Sequence, residues 1–515
     1  NLFKYNKYFW YDTILIALLV MVVSATAYLL AYREEWINKY NILYIMSCTI
    51  IFLYISINNA GASLLGEPLS EGVYEFWYKA KELGFFDNLM SLMSGEALAW
   101  LERIIMWIVE KTIPVEYTFT AVQTISLVII ASVVSMPCLK TFRKYFNDEI
   151  RLFFSIFTGC LLFFELAYFM WGLSYWGSFF LIAFAFVDMK TLKRWTYVAA
   201  IIFTVIVCMS RIYHVVFIPV AILLFILLGK KRGIRFQIYC IAIAVASAFE
   251  VIYSMSAGAG NHLQDMEQVL NIPALLVNVL YYQSQVFISL FTKGVPRLGL
   301  LVNIFFVFVI AFVFFTFLYT LISKRSDKEL SAILGSLGII SIGTILINVM
   351  TCAASTSVSF PTNYAAAVDW TTNYYQVADF HFSYSYIAVL WILLTFLYIL
   401  KVRTNRFLVS RVPDKQHHMV MRIGRNALTV GFIAGLIFLG GVSVHRGIPM
   451  STIPVEWKKV AHVTQNDSYY LSVNVTYSVA NISMTHHSYG LIYGVDQDGN
   501  GMIWHSGGPA YASDQ

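Results

Sequence analysis

The sequence predicts an all-α polytopic membrane protein of about twelve transmembrane helices, followed by a small β-rich module. Hydrophobic residues make up 59% of the 515 residues, charged residues make up 12%, and the mean hydropathy is +0.68. An ordinary soluble domain carries about 25% charged residues. Apolar runs of roughly 18 residues or more recur along the chain, and each can cross a hydrocarbon core of about 30 Å as a helix. Repeated runs also exclude a lone anchor or a signal peptide.

The helices fall within residues 1–445, which we interpret as one transmembrane domain. Length and hydropathy place the individual spans between short polar loops. The predicted spans are 12–31, 41–59, 118–136, 152–171, 175–187, 196–209, 213–229, 236–255, 300–322, 332–351, 384–400 and 427–444.

The orientation of the spans follows from the loops that hold most of the Lys and Arg. These basic loops are 140–144, 190–195, 230–235, 323–328 and 401–425. Cytoplasmic loops of membrane proteins are enriched in Lys and Arg, so we expect these loops in the cytoplasm. The formal charge of +6 thus reflects topology, and no nucleic-acid partner is expected.

Four longer regions are then expected on the opposite, extracytoplasmic side. They are 60–117, about 256–299, 352–383 and the tail after 445. Two spans precede the first of them, which places residue 1 outside; either the chain starts before Asn1 or one span is assigned wrongly. A transporter usually has short loops and a site at the membrane midplane. Long, chemically varied loops on one face indicate a site at the membrane surface.

The first outer loop, 60–117, contains two amphipathic segments, GVYEFWYKAKELGFF and GEALAWLERIIMWIVEKTI. Such segments form helices that lie along a membrane interface. In the second segment the predicted apolar face comprises Leu98, Leu101, Ile105, Ile108 and Val109, and the predicted polar face comprises Glu96, Glu102, Arg103 and Glu110.

The same loop begins with acidic residues at the expected mouth of the helix bundle, within LLGEPLSEGVYEFW. Glu67, Glu71 and Glu75 are candidates for a catalytic base, because an attacking hydroxyl is weak until a base accepts its proton. Glu71 is favoured, since it follows the turn expected at Pro68 and starts the predicted helix. The alternative is that these acids cap and solubilise a surface helix.

Cations are few in the predicted outer regions, and they are candidates for binding a phosphate. Arg211 and His214 lie at the tip of a predicted hairpin between two basic loops, and Lys293 and Arg297 lie in FTKGVPRLG ahead of a span. Arg matches phosphate oxygens in two-point geometry, and Lys supplies a point charge. The alternative is that each cation anchors the end of its helix.

These features resemble the polytopic GT-C glycosyltransferase superfamily, which includes bacterial serotype-converting glucosyltransferases. The resemblance rests on the acidic first loop with two interfacial helices, the short basic inner loops, the hairpin around SRIYH and a later basic outer loop. It implies a polyprenyl-phosphate monosaccharide donor, an inverting transfer outside the cytoplasm and a first-loop acid as base. The first loop lacks the DxD, DD or ExD pattern frequent in that superfamily, which leaves use of a divalent metal open.

The outer loop 352–383 is the candidate acceptor-binding region. It has no Lys or Arg and carries the candidate residues Asp369, Trp370, Tyr375 and Asp379. Aromatic rings pack on sugar C–H surfaces, and carboxylates accept hydrogen bonds from hydroxyls, as a glycan acceptor requires. The same composition also suits an aromatic belt at the membrane interface.

Residues 446–515 differ from the rest and predict an extracytoplasmic β-rich module, because SYYLSVNVTYSV and LIYGVDQDGNGMIWHS contain strand and turn patterns. DQDGNG matches half of a calcium loop, but Gly507 occupies the position that needs a bidentate Glu, which favours a hairpin turn. The six Cys residues show no CxxC spacing, so neither a zinc site nor a disulfide framework is expected.

The sequence therefore predicts a plasma-membrane glycosyltransferase that moves a monosaccharide from a polyprenyl-phosphate donor to an extracytoplasmic glycan or cell-envelope polymer. A bacterial plasma membrane is favoured over the endoplasmic reticulum. The alternatives are a transporter, flippase or polymerase of lipid-linked glycans, or a non-catalytic polytopic subunit. Glu165 and Glu250 lie within or beside spans and are expected to face the bundle interior, either in a structural network or in a proton-coupled transporter.

Overall fold

The computed structural model describes most of the chain between residues 41 and 257, one further long helix and several short segments. The described residues are 41–58, 76–77, 79–92, 97–144, 148–161, 173–257, 272–273 and 328–354, single positions between 308 and 322, and the backbone of five strands within 472–511. Up to residue 354 this part of the chain is helical.

The helices are short in the first outer loop and longer elsewhere. They are α1 (Ile42–Asn58), α2 (Lys79–Glu82), α3 (Phe85–Met90), α4 (Trp100–Thr112), α5 (Thr118–Val134), α6 (Asp148–Leu161), α7 (Leu173–Phe184), α8 (Arg194–Cys208), α9 (Phe217–Arg232), α10 (Ile234–Ser256) and α11 (Lys328–Ala354). Short 3₁₀ helices are Val115–Tyr117, Met136–Cys138, Lys140–Lys144 and Ile212–Val216.

Each predicted span that lies wholly within the described residues coincides with a helix, and the span 152–171 does so over its described part, 152–161. The predicted spans 12–31, 384–400 and 427–444 lie outside the described residues, and 300–322 is described only at isolated positions. Among the described residues, three helical stretches are long and apolar enough to cross a membrane: Val115–Val134, Ile212–Arg232 and Ile234–Ser256. The shorter apolar helical stretches are Ile42–Ser56, Leu173–Phe184, Arg194–Cys208 and Gly335–Thr344. A helical fold with candidate membrane-spanning helices is thus confirmed for the described residues, whereas the count of twelve stays a prediction.

The long helices pack as neighbours in a bundle: α1 lies against α5 and α6, α7 against α5, and α9 against both α10 and α11. Glycines allow close approach in this bundle. A Cβ at Gly335 would lie 2.8 Å from Leu223, and one at Gly177 would lie 2.9 Å from Val207. Small residues let helix backbones approach in membrane proteins, where packing rather than the hydrophobic effect drives association.

A single residue, Gly233, joins α9 to α10. Its φ of 82° is in the left-handed region that favours glycine, and a Cβ there would lie 3.2 Å from Cε of Lys190. The turn therefore brings the basic ends of two helices against the 190–195 loop. Arg235 confirms this proximity, because its guanidinium donates to the backbone oxygens of Met189 and Leu192 at 3.0 and 2.8 Å.

The first outer loop differs from its prediction in two respects. The first amphipathic segment is not one helix, because α2 ends at Glu82 and α3 begins after Gly84, whose backbone is extended. The second segment does form a helix, α4, but its predicted polar face is partly buried: Glu102 and Arg103 are fully buried, whereas Ile108 is 49% exposed. The loop is therefore folded onto the bundle through buried charges.

The tail contains short antiparallel strands in two groups. The strands are β1 (Ser472–Val479), β2 (Ile482–Tyr489), β3 (Ile492–Val495), β4 (Gly501–His505) and β5 (Gly508–Tyr511). β1 pairs with β2, and β4 lies between β3 and β5. The rest of the tail, including the hairpin turn predicted around Asp496 and Asp498, lies outside the described residues. A β-rich extracytoplasmic module stays a prediction.

The topology can be tested with cysteine substitutions at exposed positions on opposite ends of the bundle. We expect Lys230→Cys, at the end of α9, to react with a membrane-impermeant maleimide only after the membrane has been permeabilised. Lys111→Cys, near the end of α4, should react in intact cells. Both are introduced into a background without native cysteines. Labelling of both positions from the same side would contradict the arrangement.

Candidate functional site

A buried polar cluster lies where the first outer loop meets the ends of α7, α8 and α10. We define it as Glu102, Ser174, Ser210, Arg211, His214 and Glu250, all of which are buried. Charged side chains are rarely buried in proteins unless they are paired or functional. The cluster is therefore the candidate functional site within the described residues.

Arg211 is the cation of the cluster and lies in the turn between α8 and the 3₁₀ helix Ile212–Val216. Its backbone is extended, with φ −157° and ψ 135°. The guanidinium Nε donates to the hydroxyl of Ser174 at 2.9 Å, and the guanidinium carbon lies 5.0 Å from the centre of the Tyr175 ring. Stacking on an aromatic ring and a fixed hydrogen bond orient the planar guanidinium.

Glu102 projects from the first turn of α4 toward the start of α7. Its Oε1 accepts a hydrogen bond from the backbone N–H of Ser174 at 2.9 Å. The first N–H groups of a helix lack partners within the helix, and their partial positive charge favours a carboxylate. Ser174 thus connects Glu102 and Arg211, through its N–H and its hydroxyl respectively. Oε2 of Glu102 has no hydrogen-bond partner among the described residues.

The electrostatics of Glu102 result from opposing effects. Burial raises the pKa of the Glu102 carboxyl above its ordinary value, because removal from water disfavours the charged form. The positive charge of Arg211 and the hydrogen bond from Ser174 oppose this increase in pKa without cancelling it. Glu102 is therefore a stronger base than an exposed glutamate.

Glu250 brings a second buried carboxylate from the end of α10. Its Oε1 accepts a hydrogen bond from the Ser254 hydroxyl at 3.1 Å, and the backbone N–H of Leu98 is directed at the same carboxyl. Oε2 has no hydrogen-bond partner among the described residues. Arg211 interacts electrostatically with both Glu250 and Glu102. One cation is therefore coupled electrostatically to two buried carboxylates from different parts of the chain.

The segment Leu98–Arg103 covers this cluster, and hydrogen bonds hold it in place. The backbone N–H of Leu101 donates to the Ser210 hydroxyl at 2.9 Å. Arg103, also buried, donates from Nε to the Leu98 carbonyl at 2.9 Å and from a terminal nitrogen to Asn88 Oδ1 at 3.2 Å. These bonds join α3, α4 and the hairpin between α8 and α9 into one structural unit.

Ser210→Ala should destabilise the protein by about 1–3 kcal/mol, because it leaves the buried Leu101 N–H without its acceptor. Ser126→Ala is the matched control. Ser126 is also buried and bonds the Val122 carbonyl one turn earlier, as Ser210 bonds Ile206, but within the described part of the chain no other element donates to it. Thermal unfolding in detergent measures both variants. If Ser210→Ala and Ser126→Ala lower the unfolding temperature equally, the hydrogen bond from the Leu101 N–H to Ser210 adds no stability.

The structure describes two of the residues predicted to form the site, Arg211 and His214. It places both in the same hairpin turn, as predicted, and the His214 backbone N–H donates to the Arg211 carbonyl at 3.0 Å. The tip is enclosed by the rest of the chain: Arg211 is 5% exposed and His214 is fully buried. The reason is that Leu98–Arg103 lies over the tip.

The remaining predicted site residues lie outside the described residues. They are the base candidates Glu67, Glu71 and Glu75, the phosphate-binding candidates Lys293 and Arg297, and the acceptor-binding candidates Asp369, Trp370, Tyr375 and Asp379. Their roles stay predictions. Among described side chains, no group of three or more His, Cys, Asp or Glu is placed to hold a metal ion.

The sequence pattern assigned Glu102 to the polar face of the second amphipathic segment, and Glu102 was therefore not predicted to be a site residue. The spacing contained the relevant signal. Glu102 follows Leu98 by four residues and precedes Ile105 and Val109 by three and seven, so it lies on the apolar stripe of α4. A carboxylate on the stripe that packs against the bundle indicates a buried charge.

Comparisons with known proteins add no relative to this description. No family model matches the chain, and no curated protein or solved structure matches it either.

Proposed function

We propose that this protein is a GT-C-like membrane glycosyltransferase that moves a monosaccharide from a polyprenyl-phosphate donor to an extracytoplasmic glycan or cell-envelope polymer. The observation that supports the proposal most is the buried Arg211, which interacts electrostatically with two buried carboxylates at the end of the bundle where the first outer loop folds back. A phosphate leaving group requires a cation, and an attacking hydroxyl requires a proton acceptor. Arg211 supplies the cation. Glu102 and Glu250 supply carboxylates that can accept a proton.

The proposal includes a topology. The chain is a multi-pass protein of the plasma membrane with about twelve spans, an extracytoplasmic active face and an extracytoplasmic β-rich tail. The Arg211 cluster belongs to the active face, and the basic turn at Gly233 belongs to the cytoplasmic face. α9 and α10 both run between these two ends, which supports this assignment.

Arg211 binds the donor phosphate in this proposal. A guanidinium presents a fork of N–H groups that matches two phosphate oxygens, and the Tyr175 ring and Ser174 hydroxyl hold that fork in one orientation. The site is covered by Leu98–Arg103, so the donor enters when this segment is displaced. Lys293 and Arg297 from the later outer loop complete the cation set, and His214 in the same turn as Arg211 contributes as a buried, neutral imidazole.

Glu102 joins Glu67, Glu71 and Glu75 as a candidate for the base. The acceptor hydroxyl transfers its proton to the carboxylate while its oxygen bonds to the anomeric carbon of the sugar. The bond from that carbon to the phosphate oxygen breaks, and polyprenyl phosphate leaves with the electron pair. Glu102 suits this role because its Oε2 is unpartnered among described residues and burial raises its pKa.

The acceptor glycan binds in the outer loop 352–383. Asp369 and Asp379 accept hydrogen bonds from sugar hydroxyls, while Trp370 and Tyr375 pack on the sugar ring.

A second candidate function is transport of a lipid-linked glycan. Glu250 supports it, because this carboxylate lies within a helix able to span the membrane and has one unpartnered oxygen among the described residues. Ionisable groups inside spans often form proton pathways. A transporter would bind and release the donor intact, whereas a transferase cleaves it.

The experiment that separates the two functions uses the purified full chain and a panel of labelled polyprenyl-phosphate sugars. Binding and turnover are recorded together. A transferase releases free polyprenyl phosphate in proportion to the sugar that reaches an acceptor. Binding without cleavage, with movement of label across a vesicle membrane, would support the transporter and contradict the transferase.

A further inference from the structure

Two basic loops that are distant in sequence form one surface at the end of the bundle opposite Arg211. Arg235 donates to the backbone oxygens of Met189 and Leu192, and Lys190 Nζ donates to the Lys231 carbonyl at 3.4 Å. Arg232 donates to the Ala185 carbonyl at 2.6 Å. The 188–193 loop and the turn between α9 and α10 are thus fixed to one another. We call this surface the basic patch.

The cations of the basic patch divide into two groups. Arg232 and Arg235 are engaged with backbone oxygens and hold the loops together. The exposed cations are Lys190, Lys193, Arg194, Lys230 and Lys231. The acids near them among the described residues are Asp188, whose Oδ1 accepts the Lys190 N–H at 3.2 Å, and Glu329, which pairs with Lys231 at 3.4 Å. Positive charge therefore predominates on this surface.

Large apolar side chains lie beside these cations. Trp195 follows Arg194 and is 82% exposed, and Ile234 follows the Gly233 turn and is 68% exposed. α9 and α10, which are able to span a membrane, end at this surface. Trp and basic residues at the ends of spans lie at the level of the lipid headgroups. The patch therefore combines cations with apolar groups at that depth.

We infer that the basic patch is a binding surface for anionic phospholipid headgroups, with the exposed lysines of the patch, Lys193 and Lys230 among them, attracting the lipid phosphate and the acyl chains lying beside Trp195 and Ile234. Anionic lipids attract basic clusters next to membrane spans, each cation contributing a factor of about five in affinity. Exposed Trp195 and Ile234 favour a lipid over an acidic protein, because the acyl chains contact them. This inference does not depend on the proposed sugar transfer.

The test uses the full chain in detergent, titrated with phosphatidylglycerol or phosphatidylcholine and analysed by native mass spectrometry. We expect the first phosphatidylglycerol to bind more tightly than phosphatidylcholine. The variant Lys193→Gln/Lys230→Gln should weaken phosphatidylglycerol binding about 25-fold and leave phosphatidylcholine binding unchanged. Lys81→Gln/Lys111→Gln, at the opposite end of the bundle, is the matched control and should retain the preference.

Three outcomes would overturn the inference. The first is equal affinity of the unsubstituted chain for the two lipids. The second is the same loss of phosphatidylglycerol binding in both double variants, which would assign the effect to net charge. The third is tight binding of soluble poly-glutamate at physiological salt without lipid preference, which would assign the patch to an acidic protein. Thermal unfolding of the variants confirms that each remains folded.

Discussion

Glu102→Gln is expected to reduce sugar transfer by about 10²- to 10⁴-fold while donor binding persists, if Glu102 is the base. Gln has nearly the same size and retains an oxygen that can accept the Ser174 N–H, so the fold around α4 should be preserved. The substitution does remove the carboxylate that would accept the proton. The measurement is single-turnover transfer under saturating donor, with donor affinity recorded in parallel.

The pH dependence provides a second readout for Glu102. A base acts in its deprotonated form, and burial raises the pKa of this carboxyl above the ordinary value. The transfer rate of the unsubstituted enzyme should therefore rise with pH through an ionisation above the usual range of a carboxyl group. The Glu102→Gln variant should lose that rise.

Glu110→Gln is the matched control, because Glu110 lies on the same helix and pairs with Lys111 at 2.8 Å. It should transfer sugar at nearly the original rate. Near-native turnover of Glu102→Gln would remove Glu102 from the reaction. The same measurement on the Gln variants of Glu67, Glu71 and Glu75 would then identify the base; if all keep their activity, Asp369 and Asp379 are next.

Arg211→Gln is expected to weaken donor binding by about 1.5–3 kcal/mol, the contribution of a hydrogen bond to a charged group. This corresponds to a dissociation constant raised by roughly 10- to 150-fold. Arg211→Lys keeps the charge but loses the fork of N–H groups, so an intermediate loss is expected. Equilibrium binding of a labelled polyprenyl-phosphate sugar measures both variants.

Arg235→Gln is the control for Arg211. Arg235 is less buried than Arg211 but also has an aromatic neighbour, because its guanidinium carbon lies 5.3 Å from the centre of the Tyr197 ring, and it is at the opposite end of the bundle. Its substitution should lower stability without changing donor affinity. Unchanged affinity in folded Arg211→Gln would instead make Arg211 a structural residue that links α7 to the hairpin.

The sequence was sufficient to predict the described helices because apolar runs and basic loops are local signals. It also placed Arg211 and His214 at the tip of one hairpin, since both flanking loops, 190–195 and 230–235, are basic. The division of the first amphipathic segment into α2 and α3 was not predicted, because Gly84 interrupts a pattern that otherwise has helical spacing.

Burial of the site was not predictable from local pattern. Glu102, Ser174 and Glu250 are separated by about seventy residues or more along the chain, and only tertiary packing brings them to Arg211. A charged residue on a helix is normally solvated, so Glu102 and Arg103 were assigned to a polar face. Their burial depends on partners supplied by α7 and α3, which no short stretch of sequence reveals.

The most direct test of the central claim is the fate of the donor phosphate bond. The purified full chain, in nanodiscs, is incubated with a polyprenyl-phosphate sugar labelled in both the sugar and the lipid, together with cell-envelope glycan as acceptor. We expect free polyprenyl phosphate and glycan-linked sugar to form in equal amounts, and both to be lost in Arg211→Gln. Bound donor that stays intact for every sugar and acceptor tested, with the protein folded, would contradict a transferase.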